Sequence, residues 1–374
     1  SISRWTIGIH WWSVPFQLAL ILGLAITSYR WIETPARTRK WAFRRGQVLI
    51  IGFSLIIASY GFLSLLRSSI NGKLFTGVPS VKEKALMVDG KSLRKKCYTY
   101  KKPVDAIFRD CMFLTHNSTN TIWLVGDSHA ESMLLAADLL SKEKSMNLFA
   151  HFYSRTAFPS TPYRLVNNKK ILIASRKFKK VEERMLNLFV EGDLLIIGIR
   201  YPYHFGPDWY EYNSDEFLFP DGNGKYVKKK DKSKYFDRWL SNIKDLSVKL
   251  EPKGVSIVLI SPTPEFPEAV LKSCRGQDDQ WFNSFSRSNC SIDKNFFIGD
   301  RGMYLNIRRR LNQLISNTQN IHLVDGIDLM CKKQKCNFSR NGVPLYKDDD
   351  HISNHAARAV ILPALRSLVD KNKM

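Results

Sequence analysis

Two stretches near the start of the chain, residues 14–32 and 47–66, are apolar almost without interruption. Each is about the twenty residues a helix needs to cross a hydrocarbon layer, so both read as transmembrane helices. From residue 121 onward the pattern changes: short apolar runs at 121–125, 147–152, 193–199, 255–260 and 321–324 are rich in strand-forming residues. Between and after them, apolar positions recur at helical spacing over 130–141, 175–190, 236–250, 304–316 and 353–369, and Pro363 is expected to kink the last of these. Strands alternating with helices predict parallel pairing with helices on both faces of one sheet. The polar stretch 71–96, with Gly72, Gly77 and Pro79, reads as a connector. The chain thus divides into a helical segment 1–70, the connector 71–96 and a globular domain 97–374 that is long enough for one α/β core.

Charge orients the first segment. Arg30, Arg37, Arg39, Lys40, Arg44 and Arg45 stand against Glu33 between the two apolar stretches, which places that loop in the cytoplasm and the globular domain outside. Trp11, Trp12, Trp31 and Trp41 suit the interfacial belts. A pair of buried core helices is the alternative, which the length and the flanking charge oppose. No signal peptide precedes the first span and the chain begins at Ser1, as expected of the C-terminal piece of a longer membrane protein.

The six cysteines, Cys97, Cys111, Cys274, Cys290, Cys331 and Cys336, all fall in the domain placed outside, which suits disulfides in an oxidising compartment. Spacing does not determine connectivity; nearest-neighbour pairing would join 97 with 111, 274 with 290 and 331 with 336. A zinc site is the alternative, but no C-x-x-C pair or companion histidines at ligand spacing support it. His351 and His355 have the i, i+4 spacing of a chelating pair, without an HExxH-like glutamate, so no metal is expected. The formal charge of +23 fits contact with anionic head groups or an acidic polysaccharide, or simply a solvated basic face. Nucleic acid is not an expected partner, because no groove-reading or base-stacking motif accompanies the charge.

The candidate chemistry lies in two segments, Gly126-Asp127-Ser128-His129 and Asp348-Asp349-Asp350-His351. Gly126 ends an apolar run and a helical pattern begins at Ala130, so Ser128 falls in a strand-to-helix turn, where backbone N–H groups favour developing negative charge. A serine there is also an ordinary helix cap. The second segment supplies what a nucleophile requires: His351 as base and Asp348 to orient it, though three aspartates also suit a helix start. His129, next to the serine, is expected to pack rather than act as base, and Asp127 to hold the turn. Arg200, after the third strand, is a candidate for substrate contact or for a structural ion pair. Trp209 and Trp281, in long aromatic segments at 205–234 and 274–300, are candidates for stacking on sugar rings. The backbone N–H of Ser128, with Ser154 and Gly198, is a candidate oxyanion donor.

The G-D-S and D-x-x-H segments resemble the opening and closing blocks of the SGNH hydrolase superfamily. More narrowly, the chain resembles the SGNH domain fused behind an acyltransferase family 3 membrane domain in bacterial surface-glycan O-acetyltransferases. That narrower likeness rests on Trp31-Ile32-Glu33-Thr34-Pro35-Ala36-Arg37, on Ser261-Pro262-Thr263-Pro264-Glu265-Phe266-Pro267, and on Asp348 to Ser353. The G-x-N-D block that supplies an oxyanion-hole asparagine in many SGNH enzymes has no match. The resemblance implies a flavodoxin-like three-layer α/β/α domain behind the last two transmembrane helices of the membrane domain. It further implies location in the bacterial inner membrane, with residues from about 71 onward in the periplasm. The expected activity is acetyl transfer through Ser128, His351 and Asp348 to a hydroxyl of a surface glycan such as lipopolysaccharide O-antigen. Acetyl-CoA is then the ultimate donor, through the membrane domain upstream. A carbohydrate acetylesterase would use the same triad with water as acceptor but would not need the two spans; an inactive glycan-binding module would not need the triad.

Overall fold

The computed structural model describes residues 14–34, 45–69, 97, 102–115, 118–153, 156–159, 169–205, 217–220, 226–229, 232–267, 270, 290–300, 302, 304–340 and 343–371. Its contacts separate two compact units, Ser1–Lys84 with Ala269–Asn289, and Ala85–Glu268 with Cys290–Met374.

In the first unit both apolar stretches are helical. Helix α1 (Val14–Ser28) widens into a π-helical turn, Tyr29–Glu33, and helix α2 covers Arg45–Ser69. Large apolar side chains on both, among them Phe16, Leu22, Ile57 and Tyr60, are exposed. Among the described residues no helix is long and apolar enough to cross a membrane. The two expected spans are therefore seen as helices and not as crossings; the α-helical part of the first covers 15 residues before its π-helical turn. The connector 71–96 lies outside the described residues.

The second unit is built on a six-stranded sheet: β1 (Met112–Phe113), β2 (Thr121–Gly126), β3 (Asn147–Phe152), β4 (Leu194–Gly198), β5 (Ser256–Ile260) and β6 (Ile321–Val324), in the order β1-β3-β2-β4-β5-β6. The five strands expected from the apolar runs are all present and pair in parallel. Strand β1, too short to leave a pattern, adds an antiparallel edge beside β3. Alternate strand residues serve opposite faces. Trp123, Val125, Phe149, Leu195, Ile197, Ile257 and Leu259 join a core with helices α3 (Val104–Cys111), α4 (Lys169–Leu188), α5 (Lys232–Leu250) and α6 (Leu305–Ser316). Their neighbours Ile122, Leu124, Ala150, Ile196, Val258 and Ile260 are equally buried on the other side, where the helix Leu134–Glu143 touches β2, β3 and the C-terminal helices. Burial on both faces explains why these strands are continuous apolar runs.

Two expected helices are interrupted. Residues 130–141 divide into Ser128–Ser132 and Leu134–Glu143 at Met133. The C-terminal helix passes through a π-helical turn, Ala357–Ile361, before Leu362–Lys371; Pro363 lacks the N–H that would close an ordinary turn there.

The buried Asp193 joins β2 to β4, accepting hydrogen bonds from Thr121 N (2.7 Å), Trp123 Nε1 (2.9 Å) and Val190 N (3.1 Å). Cys97 is bonded to Cys111, and Cys331 to Cys336 across directly paired strand positions. Cys290 is also disulfide-bonded; Cys274, its expected partner, lies outside the described residues.

The chain runs from β2 to β3 on one side and returns to place β4 on the other. This is the switch point at which flavodoxin-like sheets bind ligands. The two strands approach closely there: a Cβ on Gly126, whose φ is +148°, would fall 1.8 Å from the Gly198 carbonyl oxygen. Gly126→Ala is therefore expected to destabilise the domain by about 3 kcal/mol or more, from backbone strain and overpacking together. Thermal unfolding checks this, and a wild-type melting temperature would show that the strands can separate without loss.

Candidate active site

At the end of β2, Asp127 caps the turn that carries Ser128. Its Oδ1 accepts the His129 N–H (2.8 Å), and its Oδ2 accepts the Arg200 N–H (2.8 Å) and lies 3.0 Å from His204 Nε2. Burial opposes the charge on Asp127, but the hydrogen bond from His204 and the neighbouring His129 keep its carboxyl below the usual range. This carboxylate ties the nucleophile turn to the segment after β4. The helix opening at Ser128 extends only to Ser132, so any dipole favouring an anion comes from little more than one turn.

His351 is carried by a tight loop. Asp348 Oδ1 accepts the His351 N–H (2.7 Å), Lys347 N–H donates to the His351 carbonyl (3.0 Å), and Phe266 N–H donates to the Asp349 carbonyl (2.7 Å). Ser353 then caps the following helix by accepting the Ala356 N–H. The loop presents His351 Nε2 at 2.8 Å from Ser128 Oγ, with Nδ1 at 2.9 and 3.0 Å from the two oxygens of Asp348. Three residues separated by up to 223 positions therefore form a continuous hydroxyl–imidazole–carboxylate chain. Such an arrangement can remove the serine proton as an acyl carbonyl is attacked.

A second carboxylate reaches the same nitrogen: Asp350 Oδ1 lies 2.5 Å from His351 Nδ1. Burial works against the charge on His351, but hydrogen bonds to Asp348 and Asp350 outweigh it and raise its pKa to about 9. Only the neutral imidazole can accept the serine proton, so ester cleavage should rise with pH through an acid limb near that value instead of levelling at neutrality. The same shift stabilises the fold fully below the unfolded pKa of about 6.5, and that contribution is lost as pH rises through the folded value. A pH profile that is flat above neutrality would contradict this.

The guanidinium of Arg200 is engaged by Glu265 through Nε (3.1 Å) and Nη2 (2.6 Å), and by Asp350 through Nη1 (2.7 Å). This is the ion-pair alternative to substrate contact. A Cβ on Gly198 would sit 2.9 Å from Ala130 Cα, and its carbonyl accepts the Asp127 N–H, so this glycine lets the end of β4 pack closely against the nucleophile turn. His129 lies with its ring centroid 4.9 Å from that of His351 and its Nε2 3.5 Å from Asp350 Oδ2. Ser154, Trp209 and Trp281 lie outside the described residues. Sequence reading did not single out Asp350, Glu265 or His204 as site residues. Glu265 lies within the proline-rich loop after β5; no local signal distinguishes the other two.

Among the described residues, donor atoms of His129, Asp350 and His351 lie within 4.8 Å of one another, as do those of Asp348, Asp349 and Asp350. In the first group Arg200 already supplies a cation to Asp350.

A flavodoxin-like sheet with this serine at its switch point fits the SGNH hydrolase/acyltransferase-type enzyme fold that the family match shows. The chain belongs to the family of SGNH domains fused to AT3 domains, whose model matches residues 96–363. Among solved structures, the chain is similar to the periplasmic domain of a lipopolysaccharide acetyltransferase from Salmonella ser. Paratyphi A, with 13% identity and a TM-score of 0.40, covering 76% of this chain and 94% of that one. A chain from Bacteroides fragilis NCTC 9343, whose acylhydrolase name is itself a provisional assignment, is similar with 14% identity and a TM-score of 0.33, covering 70% of this chain and 90% of that one. Comparison with curated proteins gives no match.

Proposed function

We propose that this chain transfers an acyl group, most simply acetyl, to a hydroxyl of a bacterial surface polysaccharide such as lipopolysaccharide O-antigen. The observation that carries the chemistry is the 2.8 Å contact between Ser128 Oγ and His351 Nε2, with Asp348 on the other ring nitrogen. Ser128 Oγ attacks the acyl carbonyl while its proton passes to His351 Nε2. The donor's leaving group departs with that proton, leaving an acyl ester on Ser128. A sugar hydroxyl then loses its proton to His351 and attacks the ester, and Ser128 regains the proton as the acylated sugar forms.

Membership of a family fused to AT3 domains favours transfer over hydrolysis. On this reading an acyltransferase membrane domain upstream delivers acyl groups whose ultimate source is acetyl-CoA. The apolar side chains exposed on α1 and α2 suit contact with the inner membrane, and the disulfides suit a periplasmic location for the SGNH domain. The second reading, a carbohydrate acetylesterase, follows from the same serine and histidine with water as acceptor.

Mass spectrometry of surface glycan from cells carrying the full-length protein, wild type or Ser128→Ala, separates the readings. Ester-linked acetyl present only with the wild type is the expected result. Glycan that loses acetyl groups when the wild type is present would identify an esterase instead.

A further inference from the structure

His351 Nδ1 faces two carboxylates of different character. Asp348 approaches it with both oxygens, at 2.9 and 3.0 Å, yet its side chain is 39% exposed. Asp350 is closer, at 2.5 Å, and only 4% exposed. Asp350 is also fixed from behind, since its Oδ2 lies 2.7 Å from Arg200 Nη1, and Glu265, 5% exposed, grips the other two nitrogens of the same guanidinium. A planar guanidinium held by one carboxylate through two nitrogens has little freedom to release a second. Among the described residues, the charged and titratable groups around His351 are thus Asp348 and Asp350 on its own loop, His129 on the nucleophile helix, and Arg200 and Glu265 from the segments after β4 and β5. Asp349, also in the loop, is held above the usual carboxylate range by burial and by Asp350.

We infer that the two carboxylates have separate roles, in which Asp348 orients His351, and Asp350, held by the Arg200–Glu265 clamp, is a positioning residue that sets its charge state. The inference extends the catalytic reading of Ser128 and His351, and goes beyond the D-x-x-H assignment, which recognises Asp348 alone. Asp348 is suited to orientation because one of its oxygens also accepts the His351 backbone N–H, fixing ring and loop together. Asp350 is suited to charge because a buried carboxylate is screened less than an exposed one. Burial opposes its ionisation, but the imidazoles of His129 and His351 hold its carboxyl well below the usual range, so it remains an anion across the working pH range. The consequence is a base that rests protonated near neutrality. Reducing its charge stabilisation releases the proton at lower pH and also makes the neutral imidazole a weaker base.

The test is the pH dependence of single-turnover cleavage of an activated acetyl ester by the full chain, with the His351 ring titrated in parallel by NMR. Asp350→Asn should move both midpoints toward neutrality by about one unit or more, so that the ratio of the rate at about pH 9.5 to that at about pH 7 falls by about fivefold or more. Asp348→Asn should lower the rate across the profile while leaving the His351 midpoint well above the ordinary value. An Asp350→Asn variant that loses activity equally at every pH, with the midpoint unmoved, would reduce Asp350 to a structural residue and overturn the inference. If that variant does not fold, Asp348→Asn still decides: a His351 midpoint restored to the ordinary value with Asp350 in place overturns the inference equally. The ring titration does not depend on catalysis, so failure of the inference is distinguishable from failure of the catalytic reading, which Ser128→Ala tests.

Discussion

Replacing Ser128 with alanine is expected to abolish covalent acyl capture and to lower acetyl-ester turnover by about 10⁴-fold or more. The fold should be nearly unaffected. Ser128 is partly exposed and the cap of its turn is the Asp127 carboxylate, which accepts the His129 N–H and the Arg200 N–H whether or not the serine hydroxyl is present. Among the described residues, the serine next along this helix is no substitute: Ser132 Oγ donates to the Ser128 carbonyl one helical turn away. Intact-mass measurement after mixing with an activated acetyl ester reads the effect directly, since the wild type should gain one acetyl group and the variant none. A variant that still acquires an acetyl group and turns over at the wild-type rate would show that another residue attacks.

The sheet was legible because its strands are covered on both faces. Burial of Ile122, Trp123, Leu124 and Val125 alike produces an unbroken apolar run between polar punctuation. Strand β1 left no such trace, for two residues at an antiparallel edge are too few to show a period. The breaks at Met133 and at residues 357–361 were hidden for the opposite reason: Ala130, Met133, Leu134 and Ala137 keep helical spacing across the first break, and spacing alone does not reveal that the Met133 N–H reaches the Ala130 carbonyl. Exposed apolar residues in α1 and α2 follow from the sequence, whereas the expected crossings are not shown, because among the described residues no helix is long and apolar enough.

At the site, local motifs marked the groups that touch one another but not those that hold them. Ser128, Asp348 and His351 each sit in a short block with a chemical rationale. Asp350 sits among three consecutive aspartates, where helix-start electrostatics already accounts for acidic residues. Its significance depends on Arg200, which is 150 positions away in the chain, and on Glu265, 65 positions beyond Arg200. The strands β4 and β5 bring both partners to the same end of the sheet. Sequence read without that topology leaves Arg200 equally suited to a substrate and to an ion pair.

His351→Ala is expected to cost about as much activity as Ser128→Ala, and the double variant little more than either, because a nucleophile without its base and a base without its nucleophile are similarly ineffective. The physical reason lies in the single contact between Nε2 and Oγ, through which the proton must leave as the carbon–oxygen bond forms. The alanine variant also removes the partner that balances Asp348 and Asp350, leaving two carboxylates facing a void on the same loop; Arg200 remains beside Asp350 and limits the resulting destabilisation. Thermal unfolding should therefore accompany the kinetics, so that a loss of fold is not mistaken for a loss of base. Rates of single-turnover ester cleavage in the two single variants and the double variant, taken well below their melting temperatures, provide the comparison. If the losses multiply, the two residues act independently and the serine takes its proton acceptor from elsewhere; His129, whose ring lies 4.9 Å from that of His351, would then be the next base to remove.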